Sequence, residues 1–229
     1  MTETPVIVIS SAKAKSGKTT LTLNLAAALW ADGYKVQLFA PESDDIRRFL
    51  QQRIKFCQTN KVALEMPDLL DNLADSNTLY KTEKSVIIAD IPSLKNAEYA
   101  YVFNKAHTLI TLGLYTDDLL WKMSDEYISI IWNAKKEIAA RGIKYMNWIA
   151  LLNKCNKIST KDQEKLLQSA KKFGFRLAEP LHNRDAYCHI EKGYCTADMA
   201  LNKVFNMSFA DVYARREILT LSDFLWQNK

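Results

Sequence analysis

The sequence predicts an α/β domain built on a mostly parallel, twisted sheet flanked by helices. Three observations predict it. Short β-branched runs alternate with stretches of helical apolar spacing along the 229 residues. The clearest runs, Val6-Ile-Val-Ile9 and Ser85-Val-Ile-Ile-Ala89, are almost wholly apolar, as strands buried on both faces are. No internal repeat or low-complexity linker breaks the alternation, so one domain over residues 1–229 is expected.

Taken in order, Val6–Ile9 is the first strand. Lys18–Ala31 carries Leu21, Leu25, Ala28 and Leu29 at helical spacing, and Asp32-Gly33 stops it. Val36–Phe39 is a second strand, followed by a helix marked by Ile46, Phe49, Leu50 and Ile54. Thr59–Lys84 has a weaker pattern, with Pro67 and several Asp and Asn, and reads as short helices and loops. Ser85–Ala89 and His107–Leu112 are strands, Asp117–Ala140 is a long amphipathic helix closed by Arg141-Gly142, and Tyr145–Leu152 is a strand. Thr160–Phe173 is a helix with Ser159 or Thr160 as its N-cap. Phe175–Ala178 allows a short strand, and Asp185–Lys192 and Ser208–Trp226 are helical candidates.

The loop between the first strand and first helix reads Ser10-Ser-Ala-Lys-Ala-Lys-Ser-Gly-Lys-Thr-Thr20. Gly17-Lys18-Thr19 follows a strand and opens a helix, the context that a phosphate-binding P-loop requires. Free N–H groups at a helix start point at a phosphate, and the helix dipole favours its charge. Gly17 lets the backbone approach closely. Lys18 is placed to reach β- and γ-phosphates and Thr19 to ligate magnesium. Ala12 stands where the usual motif has its first glycine; the competing reading is a polar loop capping an ordinary helix.

Lys13-x-x-x-Gly17-Lys18-Thr19-Thr20 resembles the deviant Walker A motif, Lys-Gly-Gly-x-Gly-Lys-Thr, of the ParA/MinD class of ATPases. That class also lacks the early glycine, and its fold is the P-loop NTPase fold. The resemblance spans nearly the whole chain. Asp90-Ile-Pro92 is similar to the class's Asp-Thr-Pro segment, and Asn153-Lys154 follows a strand where the class places an adenine-contacting Asn. Phe173-Gly-Phe-Arg176, Arg184-Asp-Ala-Tyr187, Gly193, Thr196 and Arg216-Glu217 resemble the class C-terminus. Arg48-Phe49, Met146-Asn-Trp148 and Gly174-Phe-Arg176 are most similar to the MipZ-type division-site-positioning ATPases.

The resemblance implies ATP and Mg2+ as cofactors. It makes Lys13 a signature lysine that crosses a dimer interface to the partner's phosphates. Ala14, Lys15, Ser16, Gly17, Lys18, Thr19 and Thr20 form the phosphate cradle, Thr19 and Asp90 serve the metal, and Asn153 meets the base. Asn153 also reads simply as a loop residue, and that alternative stays open. The implied partners are a second copy when ATP is bound, ParB-like and FtsZ-like proteins, and non-specific DNA.

Three departures from the class pattern matter. Its two glycines after the signature lysine are Ala14 and Lys15 here. Its two aspartates after the second strand correspond to Ala40 and Glu42. Glu42 keeps a carboxylate for the attacking water but adds a methylene, and about 1 Å of misplacement can cost on the order of a hundredfold in rate. Among the arginines that serve DNA binding in the MipZ branch, Arg184 has a match, but His182 and Cys188 occupy other basic positions. Binding and turnover therefore separate. The leading expectation is a nucleotide-switched dimerising regulator of division-site placement or chromosome segregation with slow hydrolysis. The alternative is a degenerate nucleotide module acting through protein contacts without turnover.

The remaining features limit other classes. Net charge is +5, and Lys135–Arg176 concentrates eleven Lys and Arg against Glu137, Asp162 and Glu164. This suits an anionic partner such as DNA or a membrane surface, but a solvated lysine-rich face is the reading favoured from sequence, because charge bias has many causes. Cys57, Cys155, Cys188 and Cys195 form no Cys-x-x-Cys pair, so reduced thiols and a cytoplasmic setting are expected, and an iron-protein-like reductase is disfavoured. A metabolic ligase on the same sheet is a third reading. No apolar run is long enough to cross a bilayer, and no secretion signal is expected at the N-terminus. The last helix, with Phe209, Val212, Tyr213, Leu219, Phe224 and Trp226, is expected to pack on the core rather than on a membrane. His107, His182 and His189 lack ligand spacing, and Trp121, Tyr127, Trp132 and Trp148 read as packing residues.

Overall fold

A computed structural model describes residues 4–41, 43–73, 84–93, 97–114, 125–142, 146–200 and 204–227. Its elements run β1 (Val6–Ser10), α1 (Lys18–Ala31), β2 (Lys35–Phe39), α2 (Asp44–Asn60), β3 (Asp68–Leu70), β4 (Ser85–Asp90) and α3 (Ala100–Phe103). The chain continues through β5 (Thr108–Leu114), α4 (Asp125–Ala140), β6 (Asn147–Asn153), α5 (Thr160–Phe173) and β7 (Arg176–Leu177). Two 3-10 helices, Asp185–Lys192 and Asp198–Ala200, precede α6 (Phe209–Trp226).

The strands form one seven-stranded sheet in the order β3-β2-β4-β1-β5-β6-β7, and every adjacent pair is parallel. Side-chain alternation divides each strand between two cores. Ile7 and Ile9 of β1 face α1, Ile46 and Phe49 of α2, and Ala214, Ile218 and Leu221 of α6. Val6 and Val8 face the other side, with Val102 and Phe103 of α3, Tyr127 and Ile131 of α4, and Leu166 of α5. Helices thus cover both faces, which is why the central strands read as unbroken apolar runs.

Local chemistry fixes the boundaries. α1 begins after Gly17 and ends at Asp32, with left-handed Gly33 beyond. Every residue from Leu21 to Leu29 is buried, because the sheet, α2, α6 and the first 3-10 helix surround α1. Ser43 caps α2 and Ser159 caps α5, each accepting an N–H of the first turn on its hydroxyl. Ser208 and Asp211 complete a reciprocal capping box on α6.

The structure departs from sequence expectation at several places. The weakly patterned stretch after α2 contains an edge strand, β3, whose polar Asp68 hid it; residues 74–83 are outside the described set. The strand expected at His107–Leu112 runs Thr108–Leu114, because pairing with β6 extends to Leu114↔Asn153. The long helix is described from Asp125, and Trp121 and Tyr145 lie outside the described residues. The Asp185–Lys192 helix is 3-10 rather than α. Phe209, Val212 and Tyr213 are not core: they are 85%, 49% and 52% exposed, because α6 buries the opposite stripe at Ala214, Ile218 and Leu221. Trp132 is likewise largely exposed rather than packed inside. No described helix is long and apolar enough to cross a membrane.

Candidate nucleotide-binding site

Parallel strands bring their carboxyl ends to one edge, and the crossovers leave β1 and its neighbour β4 toward opposite sides of the sheet, where such sheets open a crevice. Ser10 ends β1, Asp90 ends β4 and Asn153 ends β6 at that edge. The β1–β4 register pairs Ile9 with Asp90, which sets the carboxylate beside the loop leaving β1. A cavity of about 660 Å³ opens there. The phosphate loop, Pro92-Ser93, Asn153-Lys154 and Leu181–Cys188 line it. A smaller cavity of about 270 Å³ adjoins it between Lys18-Thr19, Ser43–Asp45 and Asp90.

The Thr19 hydroxyl donates to Asp90 Oδ2 at 2.7 Å. Lys18 Nζ donates to Ser93 Oγ at 2.7 Å. Burial lowers the Lys18 pKa, with the Asp90 charge acting against the shift. Burial raises the Asp90 pKa; the Thr19 hydrogen bond and Lys18 oppose this, while Asp45 adds to it. Both charges are therefore held at a cost in a desolvated place, and a divalent cation and a polyphosphate would each supply the missing complement.

The loop is shaped to receive such a group. Gly17 sits at φ 93°, and a Cβ there would lie 2.3 Å from Asn153 Nδ2. That amide donates to the Ser16 carbonyl at 2.8 Å, and Asn153 Oδ1 accepts the Lys154 N–H at 2.9 Å. Asn153 thus ties the phosphate loop to the end of β6, a role that the expectation of a base contact did not include. Among the described residues, the buried Ser16 hydroxyl has no hydrogen-bond partner. A cradle closed to any side chain, an orphaned buried hydroxyl and a paired hydroxyl and carboxylate fit a magnesium nucleotide.

Of the residues singled out in the sequence, Lys18, Thr19, Asp90, Gly17, Ser16 and Asn153 converge. Lys13 lies on the exposed outer part of the loop, while Ala14, also exposed, and Thr20 line the large cavity. Lys15 also lines it, at φ 59°. Glu42 lies outside the described residues. Ala40, at the end of β2, leaves no side-chain acid there.

Sequence reasoning missed Asp45, which lines both cavities from the first turn of α2. It also missed Ser93, and the convergence on Glu217 of α6. Glu217 accepts from Arg184 at 2.6 and 2.8 Å, from Tyr187 at 2.7 Å, and from the His182 backbone at 3.1 Å, with His182 Nδ1 2.9 Å away. The cavity wall opposite the loop is therefore fixed by one carboxylate. Arg184, with its guanidinium on Glu217 and 5.3 Å from the Tyr213 ring, is not a free surface cation. The start of α2, the cap Ser43 followed by the acidic Asp44 and Asp45, was the only available signal for Asp45.

A match to the family described as ATPase MipZ spans residues 5–112 and 116–226. The chain belongs to the MipZ ATPase family. No curated protein matches it. Among solved structures, it resembles the septum site-determining protein MinD of Pyrococcus horikoshii, complexed with Mg-ADP, at 12% identity and TM-score 0.57, covering 98% of this chain and 96% of that one. Apo McdA of Cyanthece matches at 14% identity and TM-score 0.56, over 95% of this chain and all of that chain (100%). A putative plasmid partition protein of Borrelia burgdorferi, bound to AMPPNP, matches at 12% identity and TM-score 0.52, over 95% and 97% of the two chains. The fold of this MipZ-family chain is thus the parallel α/β P-loop NTPase fold.

Proposed function

We propose that the protein is an ATP- and Mg2+-binding, nucleotide-switched regulator that dimerises with ATP bound and acts in division-site placement or chromosome segregation. The observation that carries this is the Thr19–Asp90 pair at 2.7 Å beside Lys18, in a loop that only a glycine at 17 leaves open. Lys18 and the amides at the start of α1 would hold the phosphates, Thr19 and Asp90 the metal with its water, and Lys13 the phosphates of a second copy. The metal supplies charge neutralisation and orientation of the phosphate chain. This chain's own residues do the rest: Gly17 admits the phosphate, Asn153 fixes the loop, and the wall organised by Glu217 shuts solvent from the far side. ATP drives such a switch only through different affinity for its two states.

Protein partners are proposed to be ParB-like and FtsZ-like, by family likeness; a chain of similar fold, MinD of Aquifex aeolicus, forms a complex with MinC. Non-specific DNA is proposed for the basic face of α4 and α5, where Lys136, Lys161, Lys171 and Lys172 are exposed. Lys135 is partly drawn into contacts 5.0 and 4.8 Å from the Trp132 and Trp148 rings, and Arg176 stacks 3.9 Å over Phe224. A cytoplasmic location goes with these partners.

A second reading, a nucleotide module without turnover, is favoured by Ala40 and by Lys15 in the position where the class carries glycine. Titration with labelled ATP, with and without magnesium, tests both readings, using Lys18→Ala as control and sedimentation for oligomeric state. Saturable uptake lost in Lys18→Ala, with ATP-dependent dimers and slow phosphate release, supports the switch. Uptake without dimers or turnover selects the module, and no uptake by folded protein refutes both.

A further inference from the structure

Among the described residues, three other than glycine have left-handed backbone, Lys15, Lys61 and Lys154, and two of them line the large cavity. Lys61 terminates α2, where a left-handed C-cap is ordinary. Lys15 and Lys154 have no such excuse. Their φ angles are 59° and 54°, a region that disfavours side chains and that clusters at ligand sites when retained.

The two residues are neighbours across a single hydrogen bond. Ser16, next to Lys15, accepts from Asn153, next to Lys154, and the Lys154 N–H in turn binds Asn153. Both lysines are exposed, and among the described residues neither ammonium has a hydrogen bond or an ion pair. The acids that line the same cavity are Asp45, whose carboxylate binds Arg48, and Asp185. Two unpaired like charges on strained backbone at one rim are unfavourable without an anion between or beyond them.

We propose that Lys15 and Lys154 form a second cationic grip on the nucleotide phosphates, separate from Lys18 and specific to this sequence's replacement of a loop glycine by lysine. The proposal rests on the nucleotide reading of the site and adds a determinant of affinity to it. The phosphates belong either to the nucleotide in the same chain or to that of a second copy, and protein concentration separates the two sources.

The experiment titrates fluorescent ATP and ADP into the full chain and into Lys15→Gln, Lys154→Gln, the double variant, Lys15→Arg and Lys15→Gly. Kd is expected to rise about threefold for each Gln and about tenfold for the pair, with a shallower salt dependence, and Lys15→Arg should bind as the wild type does. An effect independent of protein concentration assigns the grip to the same chain; one seen only where dimers form assigns it to the second copy. Lys15→Gly is the decisive variant, because it relieves the backbone while deleting the charge. It should raise the melting temperature and still weaken binding, which a purely structural role could not produce. Unchanged Kd in the double variant at every protein concentration, with Lys18→Ala still abolishing uptake, overturns the grip and leaves the nucleotide reading intact. No uptake by the wild type overturns both.

Discussion

Replacing Gly17 by alanine probes the junction on which the site depends. Two costs can be worked out separately. The backbone is at φ 93°, where a side chain costs about 1–2 kcal/mol. The new methyl would also stand 2.3 Å from Asn153 Nδ2, so the amide must swing away. That breaks its 2.8 Å bond to the buried Ser16's carbonyl, adding about 1–2 kcal/mol. Gly17→Ala should therefore destabilise the chain by about 2–4 kcal/mol, read as a lower urea midpoint at unchanged m-value. In an Asn153→Ala background the collision is gone, and the same substitution should cost only about 1–2 kcal/mol. The coupling of about 1–2 kcal/mol between the two positions is the measured quantity. Equal costs in both backgrounds would refute the claim that Asn153 and Gly17 share one space.

Asp90→Asn keeps an acceptor for Thr19 and removes a buried charge. Because burial raises the Asp90 pKa above the ordinary aspartate value of 3.8, the native state loses stability as pH climbs from there through the folded value. The variant should melt no lower than wild type at pH 7, with a flatter pH dependence, while magnesium no longer strengthens its nucleotide binding. For Glu217 the sign is opposite. Burial pushes its pKa up, but bonds from Arg184, Tyr187 and His182 outweigh this and hold it below 4.5. Its contribution is present above pH 4.5 and fades as pH falls through the folded value, so denaturation midpoints of Glu217→Gln should converge on wild type in acid. Arg53 and Asp198 form a buried bidentate pair at 2.7 and 2.8 Å. Arg53→Met strands the carboxylate and should cost about 3–5 kcal/mol in urea denaturation, with partial recovery on adding Asp198→Leu.

The bounds of α1 and α5 and the main strands were legible because each carries its own punctuation: Gly17 and Gly33 around α1, Ser159 and Gly174 around α5. The phosphate loop was legible for the same reason, since its function is local in sequence. What could not be read depends on contacts between distant segments. Asp45 and Ser93 reach the site, and Asn153 its bond to the Ser16 carbonyl, only through strand order and register, and Glu217 gathers partners some thirty residues away. The α6 stripe misled for a physical reason. Phe209, Val212 and Tyr213 have the spacing of a buried face, but that spacing does not say which of two faces the sheet occupies.

The arrangement explains how one site can be both built and poised. Lys18 and Asp90 are each pushed toward neutrality by the burial that would strengthen their grip on ligand charge. The magnesium nucleotide proposed for this site would offset that cost by supplying the opposite charges. Asp45 extends this electrostatics to α2, because its charge already bears on Asp90. Further along the same helix, Arg53 is clamped to Asp198, while Gly193 packs so closely on Gln52 and Arg53 that a Cβ would overlap their backbone. The near end of α2 thus borders the cavity, and its middle is anchored to the C-terminal segment. If nucleotide state switches the protein as proposed, α2 is an element through which the ligand's charge would bear on the segment leading to α6, the helix that carries Glu217 and the exposed Phe209, Val212 and Tyr213.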